Sequence, residues 1–176
     1  HTTLCTKISM TEESKTVMKI ALTGHTKGLG AEISKYFEPT HSVLGFSRTN
    51  GYDIKSPLDR KKILKASAEA DVLINLVHNY YHQTDLLLEF FQAWEHAEKL
   101  IINISSGVVE DVTWGQDRLD FIEYKNQKKA LESMAGYLSQ RKAKLKIRNY
   151  RISEINFTND TNNLNNIINE FQISKK

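Results

Sequence analysis

The residues with the clearest chemical potential are Tyr124 and Lys128, four positions apart in the segment Tyr-Lys-Asn-Gln-Lys. Residues at i and i+4 lie on the same face of a helix, so these two side chains would meet there. A nearby ammonium favours the phenolate form and lowers the pKa of a phenol from its reference value of about 10. A pKa lowered by about three would represent roughly 4 kcal/mol and make the tyrosine a usable acid near neutral pH.

Alone, this spacing is common on solvated helix faces. Two other motifs precede it here, and their order along the chain makes the pattern informative. The glycine-rich stretch Thr-Gly-His-Thr-Lys-Gly-Leu-Gly spans residues 23–30, and an apolar run, Ile-Ile-Asn-Ile, ends in the serine pair Ser105-Ser106. A strand, a glycine turn and a helix, then a strand ending in serines, then Tyr-x-x-x-Lys form one layout. This layout resembles the short-chain dehydrogenase/reductase family.

Length and composition fit one ordinary globular domain. The chain has 176 residues, 40% of them hydrophobic and 26% charged, which allows a real core. A net charge of +3 is too small to indicate nucleic-acid binding, and one cysteine, Cys5, excludes an intrachain disulfide and any cysteine metal cluster. No apolar stretch approaches the roughly 20 residues of a membrane span, and no signal-peptide pattern opens the chain. We therefore expect a cytoplasmic protein without a membrane or nucleic-acid partner.

Strand and helix patterns alternate along the chain, which predicts a parallel sheet with helices on both faces. The expected fold class is α/β, a doubly wound, Rossmann-like parallel sheet in a single domain over residues 18–176. Residues 1–17 are polar and unpatterned and are interpreted as an extension outside the fold. The predicted strands are Lys19–Thr23, Ser42–Ser47, Asp71–Val77, Leu100–Ile104 and Leu145–Arg151, and the predicted helices are Leu29–Phe37, Leu58–Ala68, Thr84–Glu98, Asp120–Arg141 and Leu164–Phe171.

The glycine-rich turn predicts a dinucleotide site. A helix that starts directly after a strand presents free backbone N–H groups to an anion. Gly24 would supply the tight turn, Gly28 the approach to a pyrophosphate and Gly30 close packing of helix on strand. The spacing, Gly-x-x-x-Gly-x-Gly, resembles the family fingerprint.

The end of the second strand favours NADP(H) over NAD(H). An acidic residue there would bind the ribose 2′-hydroxyl of NAD, whereas this chain has Ser47-Arg48, and Lys27 adds a second cation. By resemblance, Asp53-Ile54 contacts adenine and Asn75-Leu76 follows the family's strand-end pattern. The predicted cofactor-binding residues are Gly24, Thr26, Lys27, Gly28, Leu29, Gly30, Ser47, Arg48, Asp53, Ile54, Asn75, Leu76 and Lys128.

The resemblance also assigns catalytic roles. Ser106 would polarise the substrate carbonyl, with Ser105 as the alternative, and Tyr124 would supply or remove the proton. Lys128 would bind the nicotinamide ribose and lower the tyrosine pKa. Asn79 falls near the position of the family's fourth catalytic residue, an asparagine on the following helix.

Several segments depart from the family pattern. Asn75-Leu76-Val77-His78 replaces the usual Asn-Asn-Ala-Gly, and the segment between Ser106 and Tyr124 is longer than usual. Ile152-Ser153-Glu154 stands in place of the Pro-Gly that follows the sixth strand of the family. The C-terminal substrate-binding region is reduced to about 158–165. An abbreviated substrate-binding region is therefore expected.

These observations leave three functions open. The first is an NADP(H)-dependent oxidoreductase acting on a small carbonyl or alcohol. The second is a non-catalytic NADP(H)-binding redox sensor, and the third is a sugar-nucleotide epimerase or dehydratase, against which the short C-terminal region argues. The partner is expected to be a small-molecule substrate. Family members commonly pair through the two helices corresponding to Thr84–Glu98 and Asp120–Arg141, so a homodimer or homotetramer is compatible with the chain.

Overall fold

The computed structural model describes residues 16–152 and 156–176. Five strands and five α-helices alternate along these residues, as the sequence predicts. The strands are β1 (Lys19–Thr23), β2 (Ser42–Phe46), β3 (Val72–Asn75), β4 (Leu100–Ser106) and β5 (Lys146–Ile152). The helices are α1 (Gly28–Phe37), α2 (Pro57–Ala66), α3 (His82–Trp94), α4 (Leu119–Ser139) and α5 (Phe157–Ser174).

The strands form one parallel sheet in the order β2-β1-β3-β4-β5. The order reverses between β1 and β3, which is where open α/β sheets bind their ligands, outside the carboxyl ends of the strands. Helices α1 and α5 cover one face, while α2, α3 and α4 cover the other. The predicted α/β, doubly wound Rossmann-like fold is confirmed.

Each face of the sheet has its own hydrophobic core. Alternate strand residues point to opposite faces, so one strand contributes to both cores. Full burial of a large apolar side chain contributes roughly 1.5–3 kcal/mol, which makes these contacts the main support of the sheet. Fully buried members include Ile20, Leu22, Ile33 and Phe37 on the α1 and α5 side, and Leu73, Leu86, Phe90 and Ile101 on the other side.

Three asparagines lie side by side across the centre of the sheet. Asn75 of β3, Asn103 of β4 and Asn149 of β5 are direct partners in the strand pairing. The side-chain amide of Asn75 donates to Asn103 at 3.0 Å, and that of Asn103 donates to Asn149 at 3.3 Å. The first two are completely buried, so these bonds partner N–H groups that are out of reach of bulk water, while the side-chain oxygen of Asn75 has no partner among the described residues.

The observed elements differ from the predicted ones mainly at their ends. The largest difference is α5, which begins at Phe157 and not at Leu164. The Asn156 side chain accepts the backbone N–H of Thr158 and caps this helix. Its polar first turns are therefore helical, although their composition suggested a loop. Helix α3 ends at Trp94, four residues before the predicted Glu98.

The predicted extension, 1–17, lies largely outside the described residues, which begin at Thr16. Met18 is buried, and its backbone N–H donates to the imidazole of His41 at 2.9 Å. Ser153 and Glu154, in the segment that departs from the family's Pro-Gly, are also outside the described residues. No helix among the residues described is long and apolar enough to cross a bilayer.

Candidate active site

The glycine-rich turn joins β1 to α1 through residues 24–27. Gly24 and Gly28 have positive φ angles of 76° and 51°, a region that side chains rarely tolerate. Lys27 precedes the helix without a side-chain cap for the first-turn N–H groups. These N–H groups and the positive end of the helix dipole are available to an anion.

The space around each glycine indicates where a pyrophosphate fits. A Cβ on Gly30 would overlap the carbonyl oxygen of Gly24, so this glycine lets the helix pack on the turn. A Cβ on Gly28 would meet no described heavy atom within 4 Å, so this glycine borders open space. Leu29 is buried beneath the turn, whereas Thr26 is exposed above it. The turn therefore fits the pyrophosphate of a dinucleotide.

A cavity of about 390 Å³ extends from this turn toward β2 and the loop after β3. Lys27 and Arg48 both line it and are both exposed. Within the described ranges neither cation forms an ion pair with a carboxylate. A somewhat larger cavity, about 440 Å³, lies between α4, β5 and α5 toward the amino ends of the strands. Parallel sheets of this kind bind ligands at the carboxyl ends of their strands, which favours the 390 Å³ cavity as the cofactor site.

The segment after β2 is held in a fixed shape next to this cavity. The backbone N–H of Ser47 donates to the Asn50 side chain at 2.7 Å, and Asn50 donates to the carbonyl of Gly45 at 2.9 Å. Arg48 begins a short 3-10 turn that these bonds support. Preorganisation of this kind lowers the cost of fixing a charged side chain against a ligand.

Asp53 and Ile54, predicted at the adenine, also line the 390 Å³ cavity. Ile54 is buried, and the guanidinium of Arg60 donates to its carbonyl at 2.8 Å. Asp53 accepts the N–H of Lys55 at 3.0 Å. An apolar side chain with a fixed backbone at the cavity wall suits the flat face of a base.

The loop after β3 lies below the glycine turn. The hydroxyl of Thr23 accepts the N–H groups of Leu76 and Val77 at 3.0 and 3.2 Å. Asn75 is completely buried and donates to the carbonyl of Gln83 as well as to Asn103. Asn75 therefore connects β3 to its neighbours, while Leu76 packs beneath the turn.

Lys128 is a buried residue, 3% exposed, and lies one helical turn after Tyr124 on α4. Its ammonium donates to the side-chain oxygen of Gln83 at 2.9 Å and to the carbonyl of Ile104 at 3.0 Å. The nitrogen lies 5.8 Å from the centre of the Tyr124 ring. An ammonium has three donors, so one remains for a ribose hydroxyl.

The two serines at the end of β4 have different partners. Ser105 donates to the carboxylate of Glu132 at 2.8 Å, and Glu132 also accepts from Arg151 at 2.8 Å. Ser106 accepts the N–H of Val108 at 3.4 Å, which leaves its own proton free of that bond. The geometry therefore favours Ser106 over Ser105 as the donor to a substrate carbonyl.

Asn79 lies in the loop before α3, where it lines the 390 Å³ cavity with His78. The side chain from α3 that contacts Lys128 is Gln83, which the sequence reasoning did not single out. Gln83 is 2% exposed and also donates to the carbonyls of Asn75 and Ile104. The sequence offered one signal for Gln83, which is a polar residue in the first turn of a helix that has an apolar stripe. That signal does not identify its partners, because they are distant in sequence.

His78 is the second residue that the sequence reasoning did not place in the site. Its ring meets the ring of Tyr124 edge to face, with centroids 4.6 Å apart. Burial and the nearby Lys128 ammonium lower the pKa of His78 to about 4. A hydrogen bond to Gln127 raises this pKa, but by less than the other two effects lower it. His78 is therefore a neutral imidazole at neutral pH.

Lys128 makes the stability of the protein depend on pH. Burial lowers the pKa of Lys128 to about 8, although the Glu132 carboxylate raises it. In the unfolded chain the pKa of a lysine is about 10.4. Between about pH 8 and about pH 10.4 the unfolded chain therefore keeps a proton that the folded protein has lost, and the free energy of unfolding rises with pH over this range. We expect Lys128 to contribute about 2 kcal/mol of added stability between about pH 7 and about pH 9.5.

Urea unfolding across this range checks the expectation. In Lys128→Met the added increase should disappear, while Lys129→Met, on the exposed neighbouring residue, should keep it. Parallel profiles for Lys128→Met and the unmutated protein would contradict the assigned pKa.

The chain is similar in structure to several solved proteins, although no protein-family model and no curated protein matches its sequence. A Pseudomonas 3-alpha-hydroxysteroid dehydrogenase complexed with NADH is 16% identical, with a TM-score of 0.59, over 76% of this chain and 77% of that chain. A Burkholderia cenocepacia short chain dehydrogenase in complex with NADP is 15% identical, with a TM-score of 0.57, over 76% and 70%.

A Helicobacter pylori ADP-L-glycero-D-manno-heptose-6-epimerase is 18% identical, with a TM-score of 0.59, over 77% of this chain and 55% of that chain. The dehydrogenases are thus matched over more of their length than the epimerase is. The parallel five-stranded sheet with helices on both faces agrees with this similarity. The chain has the Rossmann-type fold of the short-chain dehydrogenases.

Proposed function

We propose that the protein is an NADP(H)-dependent oxidoreductase that transfers a hydride to or from a small carbonyl or alcohol substrate. The observation that carries the proposal is the position of Tyr124 and Lys128. They lie one turn apart on α4, and the lysine is hydrogen-bonded to the carbonyl of Ile104 in β4 and to Gln83 in the first turn of α3. A phenol next to a buried cation is a proton donor and acceptor that a simple binding module does not need.

The choice of cofactor rests on charge. Lys27 and Arg48 project at the cavity that begins at the glycine turn, and the end of β2 has no carboxylate to bind a ribose 2′-hydroxyl. An arginine and a lysine suit a 2′-phosphate. Of the two dehydrogenases compared above, the Burkholderia cenocepacia structure is in complex with NADP and the Pseudomonas structure with NADH.

When bound, NADPH supplies the hydride that reduces a carbonyl carbon and leaves as NADP⁺. The side chains then have separate tasks. Ser106 donates a hydrogen bond to the carbonyl oxygen, and Tyr124 gives that oxygen its proton as the alcohol forms. Lys128 holds a ribose hydroxyl with its remaining donor and favours the phenolate that Tyr124 leaves behind. In the reverse direction Tyr124 takes the proton from the alcohol.

Cofactor preference tests the charge argument. We expect the protein to bind NADPH at least about tenfold more tightly than NADH, since a hydrogen bond between charged groups contributes about 1.5–3 kcal/mol. Arg48→Asp should reverse this preference, because its carboxylate repels the phosphate and accepts from a ribose hydroxyl. Calorimetric titration with both cofactors measures the two affinities.

Lys61→Asp is the matched control, since Lys61 is also exposed but lies on α2 and is not part of the cavity lining. It makes the same change in net charge and should leave the preference intact. Equal affinities of the unmutated protein for NADPH and NADH would refute the assignment of Lys27 and Arg48.

A non-catalytic NADP(H)-binding module is the second candidate. His78 favours it, because the resemblance expects a glycine at this position, and the imidazole lies against Tyr124. As a sensor, the protein would bind NADPH through Arg48 and show no turnover with any carbonyl. A panel of carbonyl compounds followed by NADPH absorbance separates the two candidates.

A further inference from the structure

The segment between β4 and α4 places a tryptophan next to Tyr124. The Trp114 ring lies 6.2 Å from the Tyr124 ring, centre to centre, at an angle of 55°. It also stacks on Phe121, with centroids 4.6 Å apart and planes 14° from parallel. Trp114 and Tyr124 are both partly exposed. The indole is therefore held in position on one side and still reachable by a molecule that approaches the tyrosine.

This segment is built to keep the indole there. The carboxylate of Asp111 accepts the N–H groups of Thr113 and Trp114 at 2.9 and 3.0 Å. Gly115 has a φ of 69°, and a Cβ there would overlap the side chain of Phe121, so only glycine lets the chain turn so close to the stack. Fixed aromatic rings make effective binding surfaces because little conformational entropy is lost on binding.

A second aromatic ring, that of His78, also contacts Tyr124. His78 meets it edge to face at 4.6 Å, from the loop after β3. A carbonyl group within hydrogen-bond reach of the Tyr124 phenol therefore has aromatic neighbours from two separate segments of the chain. Flat, apolar molecules gain from such neighbours through stacked and edge-to-face contacts.

The charge of the segment bears on the substrate as well. Residues 110–123 contain five acidic residues and a single arginine, Arg118. This arginine lies over Phe121, 3.8 Å from the ring centre, and pairs with Asp120 at 2.6 Å. Glu110 pairs with Arg151, and the ammonium of Lys125 donates to the backbone carbonyl of Asp111. The cations nearest Trp114 therefore already have partners within the protein, which favours an uncharged substrate over a phosphorylated or carboxylated one at this mouth of the site.

We propose that Trp114 forms the wall of a substrate site for planar, uncharged carbonyl compounds, with an aryl ketone or aryl aldehyde lying against the indole while its oxygen faces Tyr124. This substrate class rests on the proposed oxidoreductase function. Trp114 thereby becomes a residue that determines specificity, in a segment longer than its counterpart in the family. Sugars and phosphorylated metabolites fall outside this class.

Two ketones that share a carbon skeleton test the proposal. Acetophenone has a flat ring, and cyclohexyl methyl ketone is its saturated, non-planar counterpart. With NADPH as reductant, Trp114→Ala should lower kcat/KM for acetophenone at least about tenfold, mainly through KM. It should change kcat/KM for the saturated ketone less than about twofold. Trp114→Phe, which keeps a ring, should retain most of the preference for acetophenone.

Tyr137→Ala is the control for removing an aromatic side chain from the surface. Tyr137 lies near the other end of α4 and is 69% exposed, so its loss should alter neither ketone. Equal losses for both ketones in Trp114→Ala, or no loss for either, would overturn the proposed wall.

A binding measurement separates this inference from the enzymatic function. The chain has two tryptophans, and the other, Trp94, is buried in the core. Fluorescence of the NADPH-loaded Tyr124→Phe protein should be quenched by acetophenone at concentrations where cyclohexyl methyl ketone has no effect, and Trp114→Phe in the same background should abolish the response. Quenching without turnover in the unmutated protein would support the aromatic site and sink the oxidoreductase. Turnover without quenching and without a preference for acetophenone would support the oxidoreductase function and overturn the aromatic site.

Discussion

Replacing Tyr124 with phenylalanine is expected to lower carbonyl turnover by about two to four orders of magnitude, the range in which general acids contribute. The substitution removes the proton donor and keeps the ring, so the contacts with His78 and Trp114 persist. NADPH affinity should stay within a factor of about three, because Lys27 and Arg48, the side chains proposed to bind its phosphate, lie on other elements. The measurement is NADPH consumption with a responsive ketone, next to a calorimetric cofactor titration.

Tyr137→Phe provides the matched control on the same helix, since this phenol is 69% exposed. It should retain full turnover. The oxidation rate of the unmutated protein should also rise with pH through a pKa below that of a free phenol, about 10. Full activity in Tyr124→Phe would refute the catalytic assignment and leave the fold and cofactor arguments in place.

Gly28 and Gly30, both in the first turn of α1, should respond differently to substitution by alanine. Gly30→Ala places a methyl group on the carbonyl oxygen of Gly24, a contact with backbone that a rotamer change does not relieve. We expect a loss of about 3 kcal/mol in the free energy of unfolding, or roughly 6–12 °C in Tm. Thermal and urea unfolding measure this loss.

Gly28→Ala projects its methyl group into open space, and its cost to the fold is limited to the φ of 51°, roughly 1–2 kcal/mol. Its main effect should fall on NADPH affinity, lowered at least about tenfold where the pyrophosphate must approach the helix. If Gly28→Ala bound NADPH normally, the phosphate site would have to lie elsewhere. Full stability in Gly30→Ala would contradict the packing of α1 on the turn.

The parts of the site that the sequence predicts are those set by local spacing. The glycine turn, the Tyr124 and Lys128 pair, and the serines after an apolar run each lie within a few residues, and each follows from the geometry of one element. The alternation of apolar runs with amphipathic segments likewise predicts the parallel sheet. Such features depend on 3.6-residue and two-residue periods that a sequence displays directly.

The features that sequence reasoning misses depend on contacts between distant segments. Gln83 meets Lys128 across 45 positions, and no local pattern distinguishes it from a solvated glutamine. Trp114 and Phe121 stack only because Gly115 turns the chain back, which is a property of loop conformation. Helix α5 was predicted too short because asparagine is a poor helix former, whereas its capping residue and the buried Leu164, Ile168 and Phe171 outweigh that preference.

The row of Asn75, Asn103 and Asn149 has a consequence for how the chain chooses its strand pairing. Strands β3 and β4 are buried along their whole length, and apart from Asn75, Asn103 and the two serines at the end of β4 their residues are apolar. A pairing shifted by two residues would keep every side chain on its proper face. Hydrophobic burial therefore discriminates weakly between these arrangements. A two-residue shift of β3 on β4 in one direction would place Asn75 opposite Ile101, and in the other direction Asn103 opposite Leu73. Each buried amide left without a partner costs about 1–3 kcal/mol. The paired asparagines thus favour the observed strand register over shifted ones. The same register fixes the position of Ser106 at the carboxyl end of β4.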